Sequence, residues 1–207
     1  MNGSSFIRNA VEEGDTMAKK TIGSGTFLYP MPTVIVGAEV KGKPNFITIA
    51  YCGIVQHNPP MIAITSGKAH YTNQGIKTKG CFSVNIPSTA MVAITDYCGL
   101  VSGKDIDKSM FFTTFVGKLK RAPMIRECSI NLECSLTRTI DLGGANEVFI
   151  GEIVEVYAEE SILVNGLPDI RKIDPIIFSM HDNNYWQVGK HIGKAWDIGR
   201  RFERATK

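Results

Sequence analysis

The sequence of 207 residues predicts a mainly β fold of the barrel type. Three observations support this prediction: many short apolar segments alternate as β-strands do, turn residues separate them at regular spacing, and few segments have helical periodicity. A chain of this length buries a substantial core as one domain. No G-x-G-x-x-G motif follows a predicted strand, which argues against a dinucleotide-binding fold of parallel strands.

Three β-branched, apolar segments predict the first strands, and we expect them to form a meander. A Lys-Gly-Lys-Pro turn separates the first two, and the Pro59-Pro60 pair precedes the third. A period of two in the second segment puts Ile47, Ile49 and Tyr51 on one face. The three segments span residues 33–40, 45–52 and 61–65.

Two helical segments and three further strands follow. The first helix is predicted over 71–79, with Thr72 as its candidate N-cap and Gly80 as its stop, and the second over 88–100. Two glycines at 143 and 144 indicate a hairpin turn or a bulge before the last strand. The three strands span 81–86, 129–142 and 147–160.

The composition excludes several classes of protein. The net charge is +3 with scattered Lys and Arg, so the chain lacks the electrostatic footprint of a nucleic-acid-binding protein. Five cysteines form no Cys-x-x-Cys pair, which favours free thiols in a reducing cytoplasm over a zinc knuckle or a disulfide framework. The four histidines lack the spacing of metal ligands, and no apolar run reaches the length of a membrane span.

The N-terminal residues differ from the rest of the chain. Residues 1–16 are polar and lack the apolar core of a signal peptide. We therefore expect a flexible N-terminal extension over 1–16 and one domain over 17–207.

A polar segment between the third strand and the first helix is the first candidate site. Residues 65–72 (TSGKAHYT) combine hydroxyls, an ammonium and an imidazole with the exposed amides of a helix N-terminus. A phosphate monoester needs such donors and such positive charge. The same residues also suit a polar loop that caps the helix, and spacing alone favours that loop.

Two further places leave a ligand role and a structural role open. The small Ala50 would let a flat ring approach the backbone beside Asn45 and Thr48, or these residues form a strand with one polar position on its less buried face. Tyr51 either covers such a ring or packs in the core. Asn85, inside an apolar strand, either bonds a ligand or satisfies a loop.

The segment 96–108 is rich in glycine and charge but contains no Walker A pattern, so a solvated loop is the simplest interpretation. Cys98 in this segment is expected to be a packed thiol, because nothing in the sequence provides it with a base.

Eight segments occur in an order that is specific, although each alone is weak. They are YPMPTVIVG, KPNFITIAYCG, the Pro pair, AITSGKAHYT, FSVNIPS, DYCGLVSGKDIDK, FIGEIVEV and VGKHIGKAWDIG. Together, from about residue 21 to 199, they resemble the flavoredoxins among the flavin-reductase-like, FMN-binding split-barrel proteins. The resemblance implies a six-stranded Greek-key split β-barrel with a few short helices, usually a homodimer, with FMN held non-covalently near the subunit interface.

The resemblance also assigns most of the polar candidates to FMN. The isoalloxazine ring would lie against Asn45, Thr48, Ala50 and Tyr51, with Ile49 between them. The ribityl phosphate would contact Thr65, Ser66, Lys68, His70 and Thr72. Lys108 would approach the ring and stabilise its anionic reduced form, and Asn146 and Phe178 match positions that approach the ring in similar proteins. Asn85 completes the set of cofactor-binding candidates.

Three positions depart from the family pattern. Gly67 stands where relatives commonly have arginine, so the grip on the phosphate would depend on Lys68 and His70. Asn146 stands where some relatives have histidine, and Tyr51 stands where relatives often have tryptophan.

The resemblance implies a flavin-dependent oxidoreductase of the flavoredoxin or flavin reductase type, in which hydride or electrons pass through bound FMN. The donor would be NADH or NADPH, or a protein redox partner. The alternative is a non-catalytic FMN-binding electron carrier that acts with a protein partner, and a more distant one is a barrel that has lost its cofactor. We assign no catalytic acid or base and no metal.

Overall fold

The computed structural model describes residues 19–200, so the extension expected over 1–16 lies outside the described residues. Phe27–Val188 forms one compact unit, and the described parts of Met1–Thr26 and Gly189–Lys207 belong to a second. All strands and helices described below lie in the first unit. Between residues 19 and 200, no helix has the length and apolar character needed to cross a membrane.

Strands dominate the first unit, as predicted, and its helices are short. The strands are β1 (Met31–Pro32), β2 (Val34–Val40), β3 (Lys43–Ile49), β4 (Cys52–Gln56), β5 (Met61–Gly67), β6 (Cys81–Ile86), β7 (Thr114–Phe115), β8 (Met124–Ile125), β9 (Ile130–Asp141), β10 (Asn146–Ala158), β11 (Leu163–Val164), β12 (Leu167–Pro168), β13 (Ile177–Ser179) and β14 (Asn184–Trp186). The α-helices are α1 (Thr72–Lys79), α2 (Val92–Leu100) and α3 (Ile170–Ile173), and 3₁₀ turns cover Thr89–Met91, Lys108–Phe111 and Glu160–Ile162.

The main sheet corrects two details of the predicted barrel. It has seven strands in the order β3-β2-β6-β9-β10-β5-β4, not six, and β3 and β4 at its two edges do not pair, so the sheet is not closed. The meander expected from the first three segments is also wrong, because β3 does not pair with β5. The physical reason is a bend at Ala50 and Tyr51, which divides the expected strand 45–52 into two strands at opposite edges.

The core confirms the predicted division of β3 between two faces. Ile47 and Ile49 belong to a large cluster with Ile64, whereas Phe46 packs in a second, smaller cluster. Both clusters are buried, so β3 is covered on both of its faces. Its polar side chains therefore need partners within the protein.

Helix α1 packs closely on β2, and its first residue, Thr72, contacts Asn45 near the start of β3. Gly75 permits the close approach, since a Cβ there would lie 2.6 Å from the carbonyl oxygen of Glu39. The helix ends as predicted at Gly80, which has a left-handed φ of 65° and donates its N–H to the carbonyl of Ile76. The predicted N-cap is wrong: Tyr71 occupies that position, and Thr72 is the first helical residue.

Candidate functional site

Two adjoining cavities lie between β3, the start of α1 and the loop that follows α2. One has a volume of about 240 Å³ and is lined by His70, Thr72 and Lys108 among others. The other, of about 330 Å³, is lined by Asn45 and by the loop residues 103–107. Tyr71 and Gly103 line both. The structure thus brings candidates from three separate sequence segments to one place.

Lys108 is a buried cation at this place. Its side chain is 2% exposed, and Nζ donates hydrogen bonds to the carbonyl oxygens of Cys98 and Val101, each at 3.0 Å. Within the described residues no carboxylate lies within ion-pair distance of Nζ. Burial lowers the pKa of Lys108 below its ordinary value of 10.5. The cavity therefore contains positive charge that the described protein does not neutralise.

The local sequence explains why Lys108 points inward. Asp107 caps the 3₁₀ turn that begins at Lys108, because its Oδ1 accepts from the backbone N–H of Ser109 at 3.1 Å. The cap fixes the turn and leaves Asp107 exposed on the outside. The interpretation of residues 96–108 as a solvated loop is therefore wrong for Lys108, although it is correct for the acidic residues beside Lys108.

His70 stands at the mouth of the same cavity and is held from behind by buried polar residues. Its Nδ1 lies 3.0 Å from Ser66 Oγ, and Ser66 Oγ lies 2.8 Å from Asn73 Oδ1. Asn73 Nδ2 in turn donates to Glu147 Oε1 at 3.0 Å. Burial, followed by the positive charge of Lys108, lowers the pKa of His70 below 6.5.

Asn45 and Thr72 tie β3 to α1 at the inner end of the cavities. Asn45 Nδ2 donates to Thr72 Oγ1 at 2.6 Å, and both side chains are buried. The loop passes so close that a Cβ on Gly103 would lie 2.7 Å from Asn45 Cγ. Only a residue without a side chain fits there while Asn45 keeps this position.

Lys68 and Asn146 lie on the outer side of the candidate phosphate segment. Lys68 is exposed and pairs with Asp141, with Nζ 2.7 Å from Oδ1. Asn146, the exposed first residue of β10, pairs directly across from Gly67 in the sheet. The turn between β9 and β10 thus lies beside residues 65–72, which the sequence did not predict.

The remaining ring candidates lie where β3 ends. Thr48 donates its hydroxyl to the carbonyl of Thr95 on α2, and Ile49 is a core residue. The backbone N–H of Thr65 donates to the carbonyl of Tyr51 at 2.8 Å, which holds the bend against β5. The Tyr51 hydroxyl lies 3.0 Å from Met180 Sδ, so this edge of the site adjoins the region after β13.

Four of the predicted residues line the two cavities, namely Asn45, His70, Thr72 and Lys108, whereas Asn85 and Phe178 lie in other parts of the fold. Asn85 is fully buried; its Nδ2 donates to Ile35 O at 2.8 Å, and its Oδ1 accepts from Ile125 N at 3.0 Å and from Asn131 Nδ2 at 2.8 Å. Its side chain thus connects β2, β8 and β9 and lines neither of the two cavities. Phe178 lines a separate, larger cavity of about 690 Å³ together with other aromatic side chains, namely Tyr29, His181 and Trp186.

The sequence analysis did not identify Asn73 and Glu147 as residues of the site. Asn73 joins Ser66 to Glu147, and Glu147 pairs with Lys77 at 2.6 Å. The sequence could have indicated Glu147, because it lies two residues before Phe149 and therefore occupies a core-facing position of a predicted strand. No signal marks Asn73, whose role depends on the folded position of β10.

The fold and the cavity define the class of the protein: a mainly β domain in which a buried lysine and a histidine line one cavity. The chain belongs to the flavin reductase like domain family, which it matches over residues 26–172. The predicted family is thereby confirmed.

Solved structures agree with this assignment. The chain is 47% identical to a flavoredoxin from Methanosarcina acetivorans, with a TM-score of 0.86 over 89% of this chain and 98% of that one. It is 38% identical to the flavoredoxin of Desulfovibrio vulgaris (Miyazaki F), with a TM-score of 0.83 over 88% of this chain and 100% of that one. Nitrilotriacetate monooxygenase component B from Bacillus cereus, at 24% identity and a TM-score of 0.73 over 81% of this chain and 89% of that one, shares the fold.

Proposed function

We propose that this chain binds FMN non-covalently in the two adjoining cavities and transfers electrons or hydride through it. Membership of the flavin reductase like family and the identity to two flavoredoxins support the cofactor. When bound, FMN supplies the redox chemistry, while the protein sets its position, its potential and its access to solvent.

The observation that carries the proposal is the buried Lys108 beside His70. An ammonium buried without a carboxylate is costly, and an anionic ligand would relieve that cost. His70 Nε2 has no hydrogen-bond partner among the described residues and lies at the rim of the same cavity. The groove thus offers a cation and an unused polar atom to a ligand that is both flat and negatively charged, as FMN is.

The proposed binding mode follows the family resemblance and is supported by the four residues that line the two cavities, Asn45, His70, Thr72 and Lys108. The phosphate lies against residues 65–72, with Thr65, Ser66, Lys68, His70 and Thr72 as its proposed contacts. The ring lies along β3 and the bend that follows it, beside Asn45, Thr48, Ile49, Ala50 and Tyr51, with Lys108 on its polar edge. Asn146, which the resemblance places near the ring, pairs with Gly67 of the phosphate segment. Phe178 joins the Tyr51 side because it lies two residues from Met180, and we leave Asn85 out.

A second copy of the chain is proposed to cover the site. Leu100 and Met110 are each 74% exposed and Phe111 is 43% exposed, all beside the loop and the turn that carry Lys108. Exposed apolar side chains grouped in this way are typical of surfaces that bind another protein. We propose a homodimer with FMN near its interface, as the family resemblance implies.

The proposal has two versions, which differ in the electron donor. In the first, the protein is a reductase that takes hydride from NADH or NADPH. In the second, it is an electron carrier that receives electrons from a protein. Anaerobic mixing with each nicotinamide tests this directly: rapid bleaching of the flavin supports the reductase, and its absence supports the carrier.

The cofactor proposal is tested by equilibrium binding of FMN and riboflavin to the purified protein. Substitution of Lys68 and His70 by Ala should weaken FMN much more than riboflavin, because only FMN carries the phosphate. Lys118→Ala is a matched control, since Lys118 also belongs to an exposed ion pair, with Glu155. Failure to bind either flavin would refute the proposal, and equal losses for both ligands would show that the phosphate lies elsewhere.

A further inference from the structure

The hydrogen bonds behind His70 fix the position of every proton in the network. Asn73 Nδ2 donates to Gly67 O at 2.9 Å and to Glu147 Oε1 at 3.0 Å. Both partners are acceptors only, because Glu147 is ionised in its pair with Lys77. The amide of Asn73 therefore has one orientation, with Oδ1 facing Ser66 Oγ at 2.8 Å.

This orientation determines the tautomer of His70. Ser66 has one hydroxyl proton and must donate it to Asn73 Oδ1, since that oxygen has none to give. Ser66 Oγ can then only accept from His70 Nδ1, which lies 3.0 Å away. The neutral imidazole consequently carries its proton on Nδ1 and presents Nε2 as a bare acceptor.

The charges around the ring favour the neutral form when no ligand is bound. Lys108 faces it from the 3₁₀ turn as a cation. Lys68, on the same loop as His70, is neutralised by Asp141 from β9. Glu147 from β10 lies behind Asn73 and is neutralised by Lys77 from α1. The net field at the imidazole therefore comes from Lys108 and opposes protonation.

We propose that Ser66 and Asn73 are positioning residues that hold His70 as the Nδ1–H tautomer, so that binding of FMN places a solvent proton on Nε2. A phosphate dianion has only acceptors, and the lone pair of Nε2 would repel it. Transfer of one proton from the protonated buffer to Nε2 forms the N–H bond, leaves the conjugate base of the buffer in solution, and converts the ring into a charge-assisted donor. The proposal rests on the proposed FMN function and deepens it.

The same arrangement distinguishes the two flavins. The terminal hydroxyl of riboflavin can donate to the bare Nε2, so riboflavin needs no proton. FMN needs one, and its binding is therefore linked to pH, whereas riboflavin binding is not. At pH 7.5 the phosphate of FMN is already a dianion, because its second pKa is about 6, so the proton taken up belongs to the protein.

The tautomer is tested in the flavin-free protein, where no cofactor is needed. Long-range ¹H–¹⁵N NMR of the imidazoles should show the proton of His70 on Nδ1, and His70→Gln identifies its signals among the four histidines. Ser66→Ala should release the preference and Ser66→Thr, which retains the hydroxyl, should restore it. An Nε2–H tautomer in the wild-type protein, or an unchanged one in Ser66→Ala, would overturn the assignment.

Proton uptake is tested by calorimetry at pH 7.5 in buffers of different ionisation enthalpy. We expect uptake approaching about one proton per FMN and none for riboflavin, with an imidazolium spectrum for His70 in the FMN complex only. His70→Gln should abolish the uptake. Binding of FMN without uptake, or uptake that persists in His70→Gln, would refute this inference alone. Failure to bind either flavin would refute the proposed function with it.

Discussion

Replacement of Lys108 by methionine separates its two effects, one on stability and one on the cofactor. In the flavin-free protein the change removes two hydrogen bonds of 3.0 Å from a charged donor, worth about 1.5–3 kcal/mol each. It also removes the desolvation cost of an unpaired buried cation, which is several kcal/mol. Because these contributions have opposite signs, we expect the free energy of unfolding to stay within about 2 kcal/mol of the wild type.

The effect of Lys108→Met on the bound flavin should be larger. A unit charge about 4 Å from the ring interacts by roughly 4 kcal/mol at an effective dielectric constant near 20, which is about 80 mV for a two-electron couple. Solvent in the open groove reduces this, so we expect the midpoint potential to fall by about 40–80 mV. The reduced flavin loses most because it carries the additional negative charge.

The assays are urea unfolding of the flavin-free protein and anaerobic redox titration of the FMN complex. Lys79→Met is the control, because Lys79 forms a partly exposed ion pair with Glu39 at 2.6 Å and neither residue lines the two cavities; it should cost about 1 kcal/mol of stability while the potential stays unchanged. A Lys108→Met protein that loses much more than about 2 kcal/mol of stability and keeps its potential would refute the reasoning, since Lys108 would then be a purely structural residue.

Three further predictions concern stability. Glu133 is fully buried, and its two carboxylate oxygens accept hydrogen bonds from the backbone N–H groups of Lys118 and Leu119 at 2.8 Å each. Glu133→Gln should therefore lower the free energy of unfolding by about 2–4 kcal/mol in urea titration. An unchanged free energy of unfolding would show that these two hydrogen bonds do not stabilise the fold. Gly75→Ala, which meets the Glu39 carbonyl at 2.6 Å, should cost about 1–3 kcal/mol, whereas the control Gly144→Ala, with open space around it, should cost little; equal losses contradict the close approach. Folding lowers the pKa of His70 below 6.5, so the unfolded chain binds a proton at His70 more readily than the folded protein does. The flavin-free protein should therefore become less stable as the pH falls from 6.5, which thermal unfolding would measure. The contribution of His70 to this pH dependence should be absent in His70→Gln.

Local elements were predictable where turn chemistry surrounds them. Strand β6 was predicted to the residue, because a left-handed Gly80 precedes it and Pro87 follows it. The helix before it was predicted to within one residue for the same reason. The bend at Ala50 and Tyr51 was not predictable, since the apolar alternation continues through it and only the pairing of β4 with β5 reveals it.

The sequence predicted which polar residues could form a site, and this assignment stays a prediction, whereas the electrostatics could not be predicted. Asn45, His70 and Thr72 were chosen from residue type, and they line two cavities that share Tyr71 and Gly103. The burial of Lys108 could not be read from a loop rich in charge, because it depends on the carbonyl groups of α2. The hydrogen-bond network from His70 to Glu147 could not be predicted either. It forms only because β10 pairs with β5, and these two strands are distant in sequence.

Gly67 has a consequence for how this site can diverge. A Cβ at this position would lie 3.2 Å from His70 Cε1 and 3.3 Å from Nε2, so a side chain at 67 fits only if the imidazole moves by a few tenths of an ångström. An arginine at 67 should therefore change the contact between His70 Nδ1 and Ser66 Oγ, which are 3.0 Å apart. A substitution on the surface of this loop would thus reach the hydrogen-bond network behind His70.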